Sequence, residues 1–333
     1  MEMKKIHVGT VSYANEAMDE VASYVHQSFT TPAGEPPSYV TPSSTYVAPL
    51  TSATRTRREI GSRVRDVVLA LALCHNVTPT TEEVNGETVI SYQASSPDEI
   101  AIIRWTEAVG LRLLQRDRES MTLLSSESGN VVVRVRILNV FPFTSESKRM
   151  GIVVKFYHGP LSSAAEDDSE IWFYQKGADT VMTSIVAAND WLEEETANMA
   201  REGLRTLVVG RKKLSTQTYQ DFVAKHAQAS LSLHNRDNAI ADVVKEYLER
   251  DLELLGVTGV EDKLQKDVKP SLELLRNAGI KIWMLTGDKV ETARCVAVSS
   301  KLVARGQYVH TIAKSESGRT ISDQDILTSS SET

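Results

Sequence analysis

Cysteine is scarce in this sequence: two residues in 333, Cys74 and Cys295, far apart and each in an apolar, helix-like context. That excludes a disulfide framework and a cysteine-based zinc site, and it points to a reducing, cytosolic setting. Positive charge is also short. Lys and Arg number 37 against 44 Asp and Glu, for a net charge of −7, and no long basic block occurs. Nucleic acid is therefore not an expected partner. Long hydrophobic runs are missing too. The longest, Val67 to Leu73, falls far below the roughly 20 apolar residues that cross a bilayer. No signal peptide shows at Met1, so the chain as given is expected to be soluble. It carries no Walker-type phosphate loop, no His-Glu-x-x-His helix and no nucleophile elbow.

What is present suffices for about two domains. Residues 6–13 read as a strand and Ala17 to His26 as a short helix. Half of the ten prolines then fall between Phe29 and Arg58 (Pro32, Pro36, Pro37, Pro42, Pro49) in a Ser/Thr-rich run. Such a composition buries too little apolar surface to offset ordering, so 29–58 is expected to be a flexible loop. Ile60, Val64, Val67, Val68 and Leu71 recur at helical spacing, and Cys74-His75-Asn76 closes that helix, its histidine having a structural role. After a turn at Asn85-Gly86, residues 88–94 read as a strand. Ser96 as N-cap, Pro97 at the first helical position and Glu99 three residues after the cap predict a capping box, with the helix ending before Gly110.

Short apolar runs follow at 111–116, 121–124, 131–140, 152–157 and 171–176, the pattern of an antiparallel sheet. Helices are expected at 179–188, 191–201, 216–229 and 238–250, with strands at 204–212 and 252–260. Residues 1–260 thus form one α+β domain. From 261 to 333 the pattern changes: a helix over Leu264 to Ala278, a buried-type strand over Ile280 to Thr286, a tight turn at Gly287-Asp288, and a helix over Lys289 to Ser300. That order is half of a doubly wound α/β unit, followed by a polar tail.

Chemistry concentrates at four places. Between Phe141 and Gly151 an aromatic ring, hydroxyls and two cations stand together. On a pleated strand Phe143, Ser145 and Ser147 share a face, with Lys148 and Arg149 at the edge, an arrangement that suits a purine carrying a phosphate tail. The competing reading is a core Phe beside a solvated basic turn. Lys176-Gly177-Ala178-Asp179 ends a strand with a cation and a glycine that admits a close approach. Arg205, after Glu202-Gly203-Leu204, is placed for a forked contact to phosphate. Thr286-Gly287-Asp288 lies at the carboxyl end of its strand and the start of a helix, where α/β sheets hold anions.

Taken in order, Ser96-Pro97-Asp98-Glu99, Phe143-Thr-Ser145-Glu-Ser-Lys148-Arg149-Met150, Lys176-Gly177-Ala178-Asp179, Glu202-Gly203-Leu204-Arg205 and Met284-Leu285-Thr286-Gly287-Asp288-Lys289 resemble the large cytoplasmic segment of a class IV P-type ATPase, the phospholipid flippases. Ala72-Leu-Cys74-His75-Asn76-Val, Phe141-Pro-Phe143 and Trp191-Leu-Glu-Glu-Glu resemble the branch that acts without an accessory subunit. The resemblance implies a nucleotide-binding domain followed by part of a Rossmann-like, haloacid dehalogenase-type phosphorylation domain, with Asp262-Lys263 at the re-entry hinge. It implies that Phe143 stacks on adenine and that Glu99 lies near the polar edge of the base. Ser145, Lys148 and Lys176 would line the pocket, Arg205 and Thr206 would meet the phosphates, and Thr286, Gly287 and Asp288 would close on the γ-phosphate. The cofactors implied are ATP and Mg2+, the latter held mostly by ligands outside this sequence. The setting implied is the cytoplasmic face of a Golgi or endosomal membrane, with phospholipid met through transmembrane helices not in the sequence. The family's Asp-Lys-Thr-Gly-Thr phosphorylation motif, Asp-rich magnesium motif and actuator domain are also absent. The expectation is a fragment that binds ATP without hydrolysing it. The alternative is a stand-alone nucleotide-binding or regulatory module.

Overall fold

The computed structural model describes residues 1–30, 38–44, 52–84, 87–160, 169–232, 235–304 and 306–310. Its elements in chain order begin with β1 (Glu2–Val8), β2 (Val11–Ala14), α1 (Met18–Phe29), β3 (Ser38–Tyr39), α2 (Ser52–Leu73), β4 (Thr78–Val84), β5 (Glu87–Gln93) and α3 (Pro97–Ala108). Strands β6 (Leu111–Arg116), β7 (Ser120–Ser125), β8 (Val131–Phe141), β9 (Arg149–Phe156), β10 (Gly159–Pro160) and β11 (Ile171–Gly177) follow. The chain continues through α4 (Asp179–Met182), α5 (Leu192–Arg201), β12 (Arg205–Leu214), α6 (Thr216–Ser230), α7 (Arg236–Tyr247), β13 (Glu253–Glu261), α8 (Val268–Asn277) and α9 (Val290–Ser299).

Nine strands pair in one sheet in the order β2-β1-β13-β12-β11-β9-β8-β7-β6, and every neighbouring pair is antiparallel. The α+β class expected from the short-strand pattern holds. β11 is the middle strand and is buried along its whole length. Its residues alternate between two cores: Trp172 and Tyr174 join one, Ile171 and Phe173 the other. Helices cover both faces, so a central antiparallel strand is buried on both sides, as parallel strands usually are, with Gln175 and Lys176 the polar residues it carries inside. The second half of α2, Val67 to Leu73, is fully buried on all sides, as a helix apolar all round must be.

Several expectations are corrected. Residues 6–13 are not one strand but a hairpin of β1 and β2, because Gly9 at φ +63° reverses the chain. The predicted helix 179–188 stops at Met182, and Val186 bridges Leu252 instead. The flexible loop predicted for 29–58 fails at its centre. β3 pairs with β10, Val40 N–H donates to Val132 O at 2.8 Å, and Tyr39 and Thr41 are buried. Arg65 holds the carbonyls of Pro42 and Ser44, and Glu170 accepts from Thr41 and Ser43. Polar anchors order a segment whose composition alone supports no core. Residues 31–37 and 45–51 of that loop, like the Asn85-Gly86 turn, lie outside the described residues, whereas the chain is helical from Ser52.

By contacts the chain divides into a unit of residues 1–265 with 286–295, and a smaller unit of 266–285 with 296–333. In the smaller unit α8 ends at Asn277, and Arg276 donates to the Lys301 and Leu302 carbonyls. The strand expected over 280–286 is not formed, and Trp283 and Leu285 stand almost wholly exposed. A strand of this kind exists only against parallel neighbours, and the described residues supply none.

Candidate functional site

The loop between β8 and β9 is built for a tight reversal. Ser147 N–H donates to Thr144 Oγ1 at 3.0 Å, and Lys148 N–H to Thr144 O at 2.9 Å. Lys148 takes a left-handed φ of 51°, a conformation a bulky residue adopts only when its surroundings demand it. The shared strand face predicted for Phe143, Ser145 and Ser147 is thus corrected: residues 142–148 are loop, and pleat alternation does not apply. The result is a ring held outward. Phe143 is 60% exposed, while Phe141 sits edge-on to Phe173 and Phe222 at 6.1 and 6.3 Å. Ser145 and Lys148 are exposed beside Phe143.

The end of β11 meets the same loop. Gly177 pairs with Arg149 and Lys176 with Met150, and Ala178 N–H donates to Lys148 O at 3.0 Å. A Cβ on Gly177 would stand 2.7 Å from Arg149 Cβ and 2.9 Å from Lys148 O. The close approach that this glycine admits is therefore that of the neighbouring loop. Sequence reading passed over the clamp on that loop: Glu249 accepts from Arg149 Nε and Nη2, each at 2.7 Å, and from Gln175 Nε2. The carboxylate lies 100 residues from Arg149 in sequence, so no local signal marks it.

Below lies a buried pair. Lys176 Nζ is 3.1 Å from Glu99 Oε1, with side chains 5% and 11% exposed. Among the described residues the ammonium makes no aligned hydrogen bond. The capping box is corrected here, since no side-chain bond caps α3 at Ser96. Glu99 turns inward because a buried ammonium without a counter-charge costs more than a missing cap. Its Oε1 also accepts the Asn76 N–H at 3.3 Å, and Arg116 Nη1 donates to Asn76 Oδ1 at 3.2 Å. Asn76 and Arg116 therefore adjoin this pair, a link that the sequence did not flag.

The adjoining Cys74 and His75 are structural. Burial pushes the Cys74 thiol up to about 12, where it is inert. Val77 N–H donates to His75 Nδ1 at 3.0 Å, leaving Nε2 to donate to Ala72 O at 2.9 Å. Burial, then Lys176 and Arg116, holds this imidazole neutral, its pKa well below the ordinary 6.5.

On the first turn of α3, Asp98 faces a second cluster. Arg205 Nε is 2.9 Å from Asp288 Oδ1, Nη2 is 3.4 Å from Asp262 Oδ2, and Nη1 is 3.6 Å from Asp98 Oδ2. Burial raises the Asp98 pKa; Arg205 opposes the rise, and Asp262 and Asp288 add to it. Three carboxylates thus hold Arg205, the residue expected to make a forked contact to phosphate. Thr206 is its half-buried neighbour on β12. Thr286 and Gly287 are exposed before α9, and the Thr286 hydroxyl accepts the Asp288 N–H at 3.1 Å. Lys289 pairs with Asp179. The predicted site residues therefore form two groups. Glu99, Phe143, Ser145, Lys148 and Lys176 gather at one end of β8, β9 and β11. Arg205, Thr206, Thr286, Gly287 and Asp288 gather at the start of β12 and α9. Adjacent carboxylates on α3, Asp98 and Glu99, join them.

An outward ring, a buried ammonium lacking a hydrogen bond and a guanidinium reachable from solvent are donors that fit a nucleotide: stacking for the base and positive charge for its tail. No group of three or more His, Cys, Asp or Glu able to hold a metal ion occurs among the described residues.

Residues 63–267 match the family described as P-type ATPase, cytoplasmic domain N. The chain is similar to phospholipid-transporting ATPase NEO1 of Saccharomyces cerevisiae, 58% identical over 314 residues, which cover 94% of this chain and 25% of that protein. It is 50% identical over 325 residues to a probable phospholipid-transporting ATPase IIB of Homo sapiens, covering 93% of this chain and 27% of that protein. The probable phospholipid-transporting ATPase tat-5 of Caenorhabditis elegans is 48% identical over 312 residues, covering 93% and 26%. The chain thus spans about a quarter of the length of these relatives.

Proposed function

This chain belongs to the P-type ATPases as the cytoplasmic nucleotide-binding domain of a class IV member, and from that premise we propose that it delivers ATP to a pump moving phospholipid between membrane leaflets. Phe143 stacks on adenine, Glu99 lies at the polar edge of the base, and Ser145, Lys148 and Lys176 line the pocket. Arg205 and Thr206 meet the phosphate tail, the guanidinium exchanging carboxylates for phosphate oxygens. Thr286, Gly287 and Asp288 close on the terminal phosphate in the whole protein. ATP supplies the phosphoryl group, and Mg2+ accompanies it through ligands mostly beyond this sequence. The work takes place at the cytoplasmic face of a Golgi or endosomal membrane, without an obligatory accessory subunit.

The observation that carries the reading is the buried Lys176 ammonium, unbonded except for its ion pair, beneath a loop that holds Phe143 outward. One stacked ring and a few partly solvated contacts, less the cost of association, leave about 4–5 kcal/mol, a dissociation constant on the order of 0.1–1 mM. The terminal phosphate adds little, because the phosphorylated Asp motif is not in this sequence. Titration calorimetry of the 333-residue chain with ATP and ADP, beside a phosphate-release assay, tests this. The expected outcome is affinities within a few-fold of each other and no turnover. Failure to bind either nucleotide, or sustained phosphate release, refutes the reading.

A further inference from the structure

A cleft of about 560 Å3 opens at the other end of β8, walled by the β6–β7 turn, β8 and Tyr157. Its walls carry three guanidiniums, from Arg118, Arg134 and Arg136. All three are exposed, and none has an ion pair among the described residues. On β8, Val133 and Val135 enter the core, so the alternate residues Arg134 and Arg136 face the cleft side by side, roughly 7 Å apart along the strand. Arg134 lies over the Tyr157 ring at 5.1 Å, which fixes one guanidinium, and Tyr157 is flanked by the ring of Tyr39 at 6.5 Å.

Two acids also line the cleft, but one is already engaged. Asp117 accepts from Glu119 N–H, Ser120 N–H and Ser120 Oγ at 2.8, 2.6 and 2.8 Å, and these bonds shape the turn that presents Arg118. The same bonds keep Asp117 ionised, and Glu119 is a second anion. Three cations against two carboxylates still leave the lining net positive, and three forked guanidiniums in one cleft can share the several oxygens of a phosphate, where a lone carboxylate offers only two. The cleft holds more than an inorganic anion. Among the described residues its lining offers no large exposed apolar side chain of the kind that enters a lipid surface, while the half-buried Tyr157 ring, backed by the buried Tyr39, gives a flank for a neighbouring side chain of a polypeptide. We propose that this cleft docks a phosphorylated segment of another protein, with Arg118, Arg134 and Arg136 holding the phosphate.

The seven residues from Arg136 to Phe143 put about 20 Å between this cleft and the Phe143 loop, so the site is separate from the candidate nucleotide pocket and stands independently of its assignment. The test is fluorescence anisotropy of the 333-residue chain with labelled degenerate nonapeptides carrying a fixed central phosphoserine or phosphotyrosine, beside their unphosphorylated twins. Binding is expected for a phosphorylated pool only, falling as salt rises. Arg136→Ala should weaken it about ten-fold or more, and Arg134→Glu/Arg136→Glu should abolish it with far-UV circular dichroism unchanged. Arg134→Lys/Arg136→Lys keeps the charge but loses the fork, and should still weaken binding several-fold. Equal binding of the unphosphorylated twins, no binding of either phosphorylated pool, or displacement by ATP would overturn the proposal. So would inorganic phosphate competing as well as peptide, or equal binding to phosphatidylcholine vesicles containing phosphatidylinositol phosphate.

Discussion

Lys176→Met removes an ammonium from a pair 3.1 Å apart whose side chains are 5% and 11% exposed. At an effective dielectric constant of about 20 the lost attraction is about 5 kcal/mol, and leaving the ammonium out of the interior offsets part of it. What remains is Glu99, still buried, with one long hydrogen bond from Asn76 and the field of nearby Arg116. Breaking one side of a buried pair costs roughly 3–5 kcal/mol, and with Arg116 close by the lower end, about 3 kcal/mol, is expected. Glu99→Gln strands the ammonium at a similar cost. The double variant Glu99→Gln/Lys176→Met leaves two neutral groups of nearly unchanged shape and should fall within about 1 kcal/mol of the parent. Urea unfolding followed by tryptophan fluorescence reads this through the buried Trp105 and Trp172. With an m-value of about 3 kcal/mol/M, each single variant moves the midpoint by about 1 M. ATP affinity should fall in Lys176→Met with only a weak salt dependence, because the buried group is poorly screened. A double variant as unstable as the sum of the singles would refute the reasoning, since it would mean that the two charges do not depend on each other.

Phe143→Ala should remove roughly 1–3 kcal/mol of ATP binding, the stacking share, and leave the melting temperature unchanged because the ring is 60% exposed; unaltered affinity by calorimetry removes stacking from the account. Gly177→Ala places a Cβ 2.7 Å from that of Arg149, and overpacking of this kind costs about 1–3 kcal/mol; ATP affinity should fall with it, and an unmoved urea midpoint would count against the close approach. The pH dependence follows from His75, whose folded pKa lies well below its ordinary 6.5 through burial and then the cations Lys176 and Arg116. Above that value both states are neutral and stability is full. As pH drops below it, the unfolded chain takes up a proton that the folded one refuses, so stability falls by up to about 1.4 kcal/mol per pH unit until the folded pKa is reached. In His75→Asn that part of the slope should vanish, and identical urea midpoints-versus-pH slopes in the two proteins would show that His75 is not the group responsible.

The sequence by itself determined the elements whose cause is local. Helical spacing marked α2, Pro97 and Gly110 bracketed α3, and the succession of short apolar runs marked the antiparallel sheet, because such signals are written in near neighbours along the chain. The motif order also carried the family, and with it a residue set that folding collects into two groups joined by Asp98 and Glu99. Tertiary structure decided the rest. Glu99 matches a capping box in sequence, yet it bonds Lys176, because pairing of β9 with β11 and packing of α3 and α2 beneath them bury the ammonium there. Arg205 reads in sequence as a candidate for a forked phosphate contact, but that Asp98, Asp262 and Asp288, from three separate segments, converge on it is visible only in the fold. The Pro- and Ser-rich stretch is pinned at 38–44 by Arg65 and Glu170, whereas the strongly apolar 280–286 forms no strand for lack of neighbours. In each case the outcome turned on a charge or a backbone partner distant in sequence. Burial sets the worth of such contacts, and burial exists only once the chain has folded.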